Sequence, residues 1–113
     1  MEQKITELSY TREGNQLYYW IPRELDQHIA KSLCRELDSL IERYQIKELV
    51  LDFSKTEFMD SSGIGVVIGR YKTMKFHKGT IYVKHLGKRI KSIFKAAGLF
   101  QIVEVKGEAV CIE

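Results

Sequence analysis

Residues 48–76 run Glu48-Leu49-Val50-Leu51-Asp52-Phe53, then Ser54-Lys55-Thr56-Glu57-Phe58-Met59-Asp60, then Ser61-Ser62-Gly63-Ile64-Gly65-Val66-Val67-Ile68-Gly69-Arg70-Tyr71-Lys72-Thr73-Met74-Lys75-Phe76. The first run is short and nearly all apolar, which is the pattern of a strand buried on both faces. The second is a polar loop. The third carries Ile64, Val67, Ile68, Tyr71 and Met74 at helical spacing, so a helix is expected over 61–76. A buried strand that feeds a helix through a loop is the unit of a parallel α/β sheet.

The flanking sequence repeats this unit. Upstream, residues 4–10 and 16–21 read as strands around the turn signal Arg12-Glu13-Gly14-Asn15, and Pro22 ends the pairing because it has no N–H to donate. Asp26 suits a helix N-cap, and Ile29, Leu33, Leu37, Leu40, Ile41 and Tyr44 follow on one helical face. Downstream, His77-Lys78-Gly79 closes the middle helix and Thr80-Ile81-Tyr82-Val83 reads as a strand. Gly87 opens a third helix with Ile90, Ile93, Phe94 and Ala97 on one face, Gly98 closes it, and 101–105 reads as a last strand. The expected order is β-β-α-β-α-β-α-β. This is one α/β domain over residues 1–113: a mixed, mostly parallel sheet with an N-terminal hairpin and helices packed on it.

Composition narrows the function. With 113 residues, 44% hydrophobic and 29% charged, the chain has the make-up of a globular domain and not of a disordered one. Its formal net charge of +3 is too small to argue for nucleic acid. No apolar run approaches the ~18 residues of a membrane span, and Met1-Glu2-Gln3-Lys4 is not an apolar leader, so no stable membrane insertion and a cytoplasmic location are expected. Cys34 and Cys111 form no CxxC, and His28, His77 and His85 are scattered over three elements, so no metal or other cofactor is expected. There is no GxSxG elbow and no GxxxxGK[ST] phosphate loop, which speaks against an enzyme. Lys88, Arg89, Lys91 and Lys95, with Lys84 nearby, make a basic helix surface: an ordinary solvated face or a surface for an acidic partner. Tyr18, Tyr19 and Trp20 read as a sheet face.

The chemistry concentrates at Asp60-Ser61-Ser62-Gly63. Loops at the carboxyl ends of parallel strands are where function tends to sit. Ser61 falls at the start of the helix, as its cap or its first residue. Capping is the ordinary role of such a serine. The free N–H groups and the dipole there also tolerate an anion, so a phosphate on Ser61 would be accepted by its own helix. It would add about −1.5 to −2 charges to the loop. Gly63, Gly65 and Gly69 each weaken the helix by about 0.5–1 kcal/mol relative to alanine. Either close packing inside the domain or close approach of another chain would account for them.

The stretch from Phe58 to Lys72 resembles the signature of the STAS domain, and more narrowly that of the sporulation anti-sigma F factor antagonists. Glu24-Leu25-Asp26 with His28 and Ala30 resembles that family's segment before the first long helix. Lys88-Arg89 and Phe94, followed by Gly98-Leu99-Phe100, resembles its third helix and the exit from it. The resemblance implies a protein, monomeric when free, whose unphosphorylated form binds an anti-sigma factor that is also a serine kinase and so releases a sigma factor. Phosphorylation switches binding off, and a serine phosphatase restores it. The family's acceptor falls on Ser61, with Ser62 its neighbour, and Asp60 matches the acidic residue before the acceptor. Asp60, Ser61, Ser62, Gly63, Ile64, Glu24 and Asp26 are the implied partner contacts. Two departures stand out: Pro22-Arg23 where the family has a glycine before Glu-Leu-Asp, and a short C-terminal tail. An alternative within the same resemblance is a STAS-type accessory subunit or ligand-sensing module of a membrane transporter, which needs no phosphate acceptor.

Overall fold

The computed structural model describes residues 9–107. Strand β1 (Tyr10–Glu13) turns through Gly14-Asn15 into β2 (Gln16–Trp20). The short strand β3 (Glu24–Leu25) leads into helix α1 (Gln27–Tyr44). Then come β4 (Glu48–Asp52), β5 (Phe58–Met59), α2 (Ser61–Phe76), β6 (Thr80–Lys84) and α3 (Lys88–Ala96). A 3₁₀ turn (Leu99–Gln101) and β7 (Glu104–Val105) complete the described residues. The main sheet has the order β1-β2-β4-β6-β7, and β3 and β5 form a separate two-stranded ladder. Every pairing is parallel except β1 with β2.

Strand alternation directs the core to one face. Leu17 and Tyr19 of β2, Leu49 and Leu51 of β4, and Ile81 and Val83 of β6 are all buried in it. The helices cover them with Leu33, Leu37 and Ile41 of α1, Val66, Val67 and Met74 of α2, and Ile90 and Phe94 of α3. Phe53 meets Phe94 edge-on at 5.4 Å between ring centroids, which ties the end of β4 to α3. The alternate residues Tyr18 and Trp20 lie on the opposite face, half-buried, with their rings 4.9 Å apart.

Several boundaries differ from the sequence-based expectation. The first strand occupies Tyr10–Glu13, because Glu13 pairs with Gln16 and the turn needs two residues only; residues 4–8 of the expected strand lie outside the described residues. The last strand is reduced to Glu104–Val105, since Gly98, at φ +72°, starts a 3₁₀ turn that sinks Leu99 into the core. Ala97, expected on the apolar face of α3, is exposed beyond the helix end.

The apolar stripe of α2 is rotated from the expected one. Gly63, Val66, Val67, Arg70 and Met74 are buried, while Ile64, Ile68 and Tyr71 are half-buried. The helix packs against α1 as well as the sheet, and the α1 side buries a cation that no hydrophobic period reveals. Arg70 Nε lies 3.0 Å from Asp38 Oδ1 of α1, and the Thr73 hydroxyl donates to the same oxygen.

Candidate functional site

The parallel pairing of β2, β4 and β6 places their carboxyl ends, and hence the starts of all three helices, at one end of the domain. At that end β3 and β5 pair, with Glu24 opposite Phe58 and Leu25 opposite Met59. The Glu57 N–H donates to the Arg23 carbonyl at 2.7 Å, and the Asp60 N–H donates to the Leu25 carbonyl at 3.2 Å. The Thr56 hydroxyl, buried, donates to the Ile21 and Pro22 carbonyls. Arg23 adds a side-chain bond from Nε to Glu57 at 3.0 Å. These bonds fix the segment before α1 against the segment before α2, so two helix starts lie side by side.

Each start is capped by an aspartate. Asp26 accepts from the Ile29 N–H at 3.0 Å, and Asp60 accepts from the Ser62 N–H at 2.8 Å. The capping role that suited a serine therefore belongs to Asp60. Ser61 is the first residue of α2 and is exposed. Its hydroxyl has no hydrogen-bond partner among the described residues. Ser62 is half-buried, Gly63 buried and Ile64 half-buried. Glu24 is exposed and Asp26 half-buried. Six of the seven candidate residues are therefore exposed or half-buried at this end of the domain, and Gly63 is buried. Beside them an open groove is lined by Asp26, Gln27, His28, Lys31 and Asp60.

Gly63 is fixed by packing. A Cβ there would lie 2.4 Å from Met59 Cγ and 3.0 Å from Leu25 Cδ2. The glycine lets α2 begin directly on the β3–β5 ladder. No such contact explains Gly65 or Gly69, where a Cβ would meet nothing within 4 Å.

A second polar cluster, not anticipated from sequence, lies at the same end of the sheet. Asp52 is 1% exposed. It accepts from the Ser54 N–H at 2.7 Å and from the Tyr18 hydroxyl, and it lies 3.0 Å from His85 Nδ1. Burial alone would raise its pKa, but the bonds from Tyr18, Ser54 and His85 outweigh burial and hold the carboxyl below its ordinary value. Burial first, and the bond to Asp52 second, push the Tyr18 hydroxyl up to about 12. The one signal in the sequence was an acid directly after the apolar run Leu49-Val50-Leu51 and before Phe53.

A folded-state pKa below the unfolded one adds stability above the unfolded pKa, and this is lost as pH falls through the folded value. Asp52→Asn should therefore cost about 1–3 kcal/mol near pH 7, where it leaves buried donors mismatched. The gap to the parent protein should narrow near pH 3. Urea midpoints of both proteins at the two pH values measure this. An equal gap at both would remove Asp52 as the titrating group.

Comparison with known proteins fits this geometry. The family model described as the STAS domain matches residues 8–109. The chain belongs to the STAS-domain family. A curated relative, the anti-sigma F factor antagonist of Paenibacillus polymyxa, is 34% identical over 82 residues, covering 73% of this chain and 70% of its own. Within the family, the chain thus falls among the anti-sigma factor antagonists. Two solved structures share the fold. One is the anti-sigma factor antagonist SpoIIAA in its unphosphorylated form, with a TM-score of 0.78 at 21% identity, covering 88% of this chain and 87% of that one. The other is the Bacillus cell fate determinant SpoIIAA in its phosphorylated form, with a TM-score of 0.70 at 21% identity, covering 88% of this chain and 90% of that one. No helix among the described residues is long and apolar enough to cross a membrane.

Proposed function

We propose that this chain is a phosphorylation-controlled antagonist. Its unmodified form binds an anti-sigma factor with serine kinase activity and releases a sigma factor, and phosphate on Ser61 switches that binding off. The observation that carries the reading is the division of labour at the start of α2. Asp60 caps the helix, and the neighbouring Ser61 hydroxyl is left exposed and unengaged. A phosphate there breaks no bond that holds the domain, and it sits at the positive end of a helix. The fold relative's description in both unphosphorylated and phosphorylated forms supports the same reading. The cap Asp60 and residues Ser61, Ser62, Gly63 and Ile64 at the start of α2, with Glu24 and Asp26 across the ladder, form the contact region, in which Gly63 is buried and sets the backbone. A serine phosphatase resets the switch, and the setting is cytoplasmic control of transcription of the kind used in sporulation.

The test is incubation with ATP and the anti-sigma F factor of Paenibacillus polymyxa, followed by mass spectrometry. One phosphate at Ser61 is expected. A phosphate on Ser62 alone would overturn the acceptor assignment. No phosphate together with no complex would overturn the function.

A further inference from the structure

The outer face of α3 is a one-sign charged feature apart from the surface just described. Lys88, Arg89, Lys91 and Lys95 are all exposed, and the nine residues of the helix include no acid. None of the four makes an ion pair among the described residues.

This arrangement opposes helix formation in two ways. Lys88 and Arg89 stand in the first turn, where the dipole favours anions, and the N-cap is Gly87, which supplies no side-chain acceptor. Lys91 also follows Lys88 at i+3 and precedes Lys95 at i+4, spacings at which like charges repel. The buried residues Ile90 and Phe94 hold the helix in place from beneath, so the cations are not needed for folding.

We propose that this face is an electrostatic docking surface for a carboxylate-rich segment of a protein partner. Lys88, Lys91 and Lys95 form one ridge. Lys88 and Lys95 are about 10 Å apart along the axis, the span of roughly three residues of extended chain. The ridge starts at the carboxyl end of β6, on the same end of the domain as Ser61, so one partner can reach both. That the partner is the same one rests on the function proposed above; the charge of the surface does not. A lipid surface fits less well, because Ile90 and Phe94 face inward and leave α3 no apolar face to insert. A nucleic acid fits less well because α3 carries no Asn, Gln or exposed aromatic side chain to read or stack on bases.

The test compares the parent protein with the K88Q/R89Q/K91Q/K95Q variant. Amide chemical shifts are followed on addition of a glutamate-rich peptide, phosphatidylserine vesicles or a short DNA duplex. The peptide should shift residues 88–95 of the parent, with affinity falling about tenfold or more between about 50 mM and about 500 mM salt, and should leave the variant unmoved. In the second arm, stopped-flow association with the anti-sigma F factor of Paenibacillus polymyxa should be about tenfold slower for the variant at low salt and equal at high salt. Absence of peptide shifts in α3 would overturn the proposal. So would tighter binding of vesicles or duplex at residues 88–95. If the parent fails to bind the anti-sigma factor, the proposed function falls, while the peptide arm still decides the surface.

Discussion

Gly63→Val should destabilise the domain by about 3 kcal/mol, the upper end of the ordinary cost of overpacking. The new Cβ would stand 2.4 Å from Met59 Cγ, 2.8 Å from Met59 Sδ and 3.0 Å from Leu25 Cδ2. Neither neighbour can retreat easily. Met59 is 4% exposed and Leu25 fully buried, and both are pinned through the β3–β5 ladder. Relief requires lifting the start of α2 off that ladder, which strains the Asp60 N–H bond to Leu25 as well. Gly65→Ala and Gly69→Ala meet open space, so each should stabilise the helix by about 0.5–1 kcal/mol. Denaturant midpoints of the three variants decide the matter. A neutral Gly63→Val would mean that the ladder yields freely and does not fix the helix start. If Gly65→Ala gains stability yet weakens the complex, the bare backbone at Gly65 serves the approach of a second chain.

Where the fold was legible in the sequence, a single residue marked the boundary. Asp26 before an apolar stripe placed the start of α1, Asp60-Ser61 the start of α2, and Gly98 the end of α3. What stayed hidden depends on contacts distant in sequence. β3 and β5 have two residues each, too few for any periodicity, and they exist because Leu25 and Met59 meet across more than thirty residues of chain. The burial of Arg70 is set by Asp38 on another helix. The cluster around Asp52 gathers Tyr18 from the neighbouring strand β2 and His85 from just beyond the end of β6. The candidate site was half legible for the same reason. Asp60-Ser61-Ser62-Gly63 stood out as a helix start, yet only the fold shows that Asp60 takes the cap, that Ser61 is spared, and that Glu24 and Asp26 lie beside them.

Ser61→Glu should weaken the complex with an anti-sigma factor about a hundredfold, equivalent to about 3 kcal/mol, while leaving the stability of the free domain within about 0.5 kcal/mol. The two halves of this expectation have separate causes. In the free protein, position 61 is exposed, its side chain holds nothing, and a carboxylate in the first turn of α2 interacts favourably with the dipole. In a complex the same carboxylate loses its water beside Asp60, and an unpaired charge at an interface costs about 2–5 kcal/mol. Ser61→Ala removes the acceptor without adding charge, so it should bind like the parent protein and remain bound after incubation with ATP. Isothermal titration of the three proteins against the anti-sigma F factor of Paenibacillus polymyxa, with thermal melts in parallel, separates these effects. Equal affinity for Ser61→Glu and the parent would show that the start of α2 lies outside the interface. Lost affinity with an equally lowered melting point would show that the substitution acts through folding. The switch reading requires the affinity to fall while the melting point holds, since only then does the charge act at the contact and not on the domain that presents it.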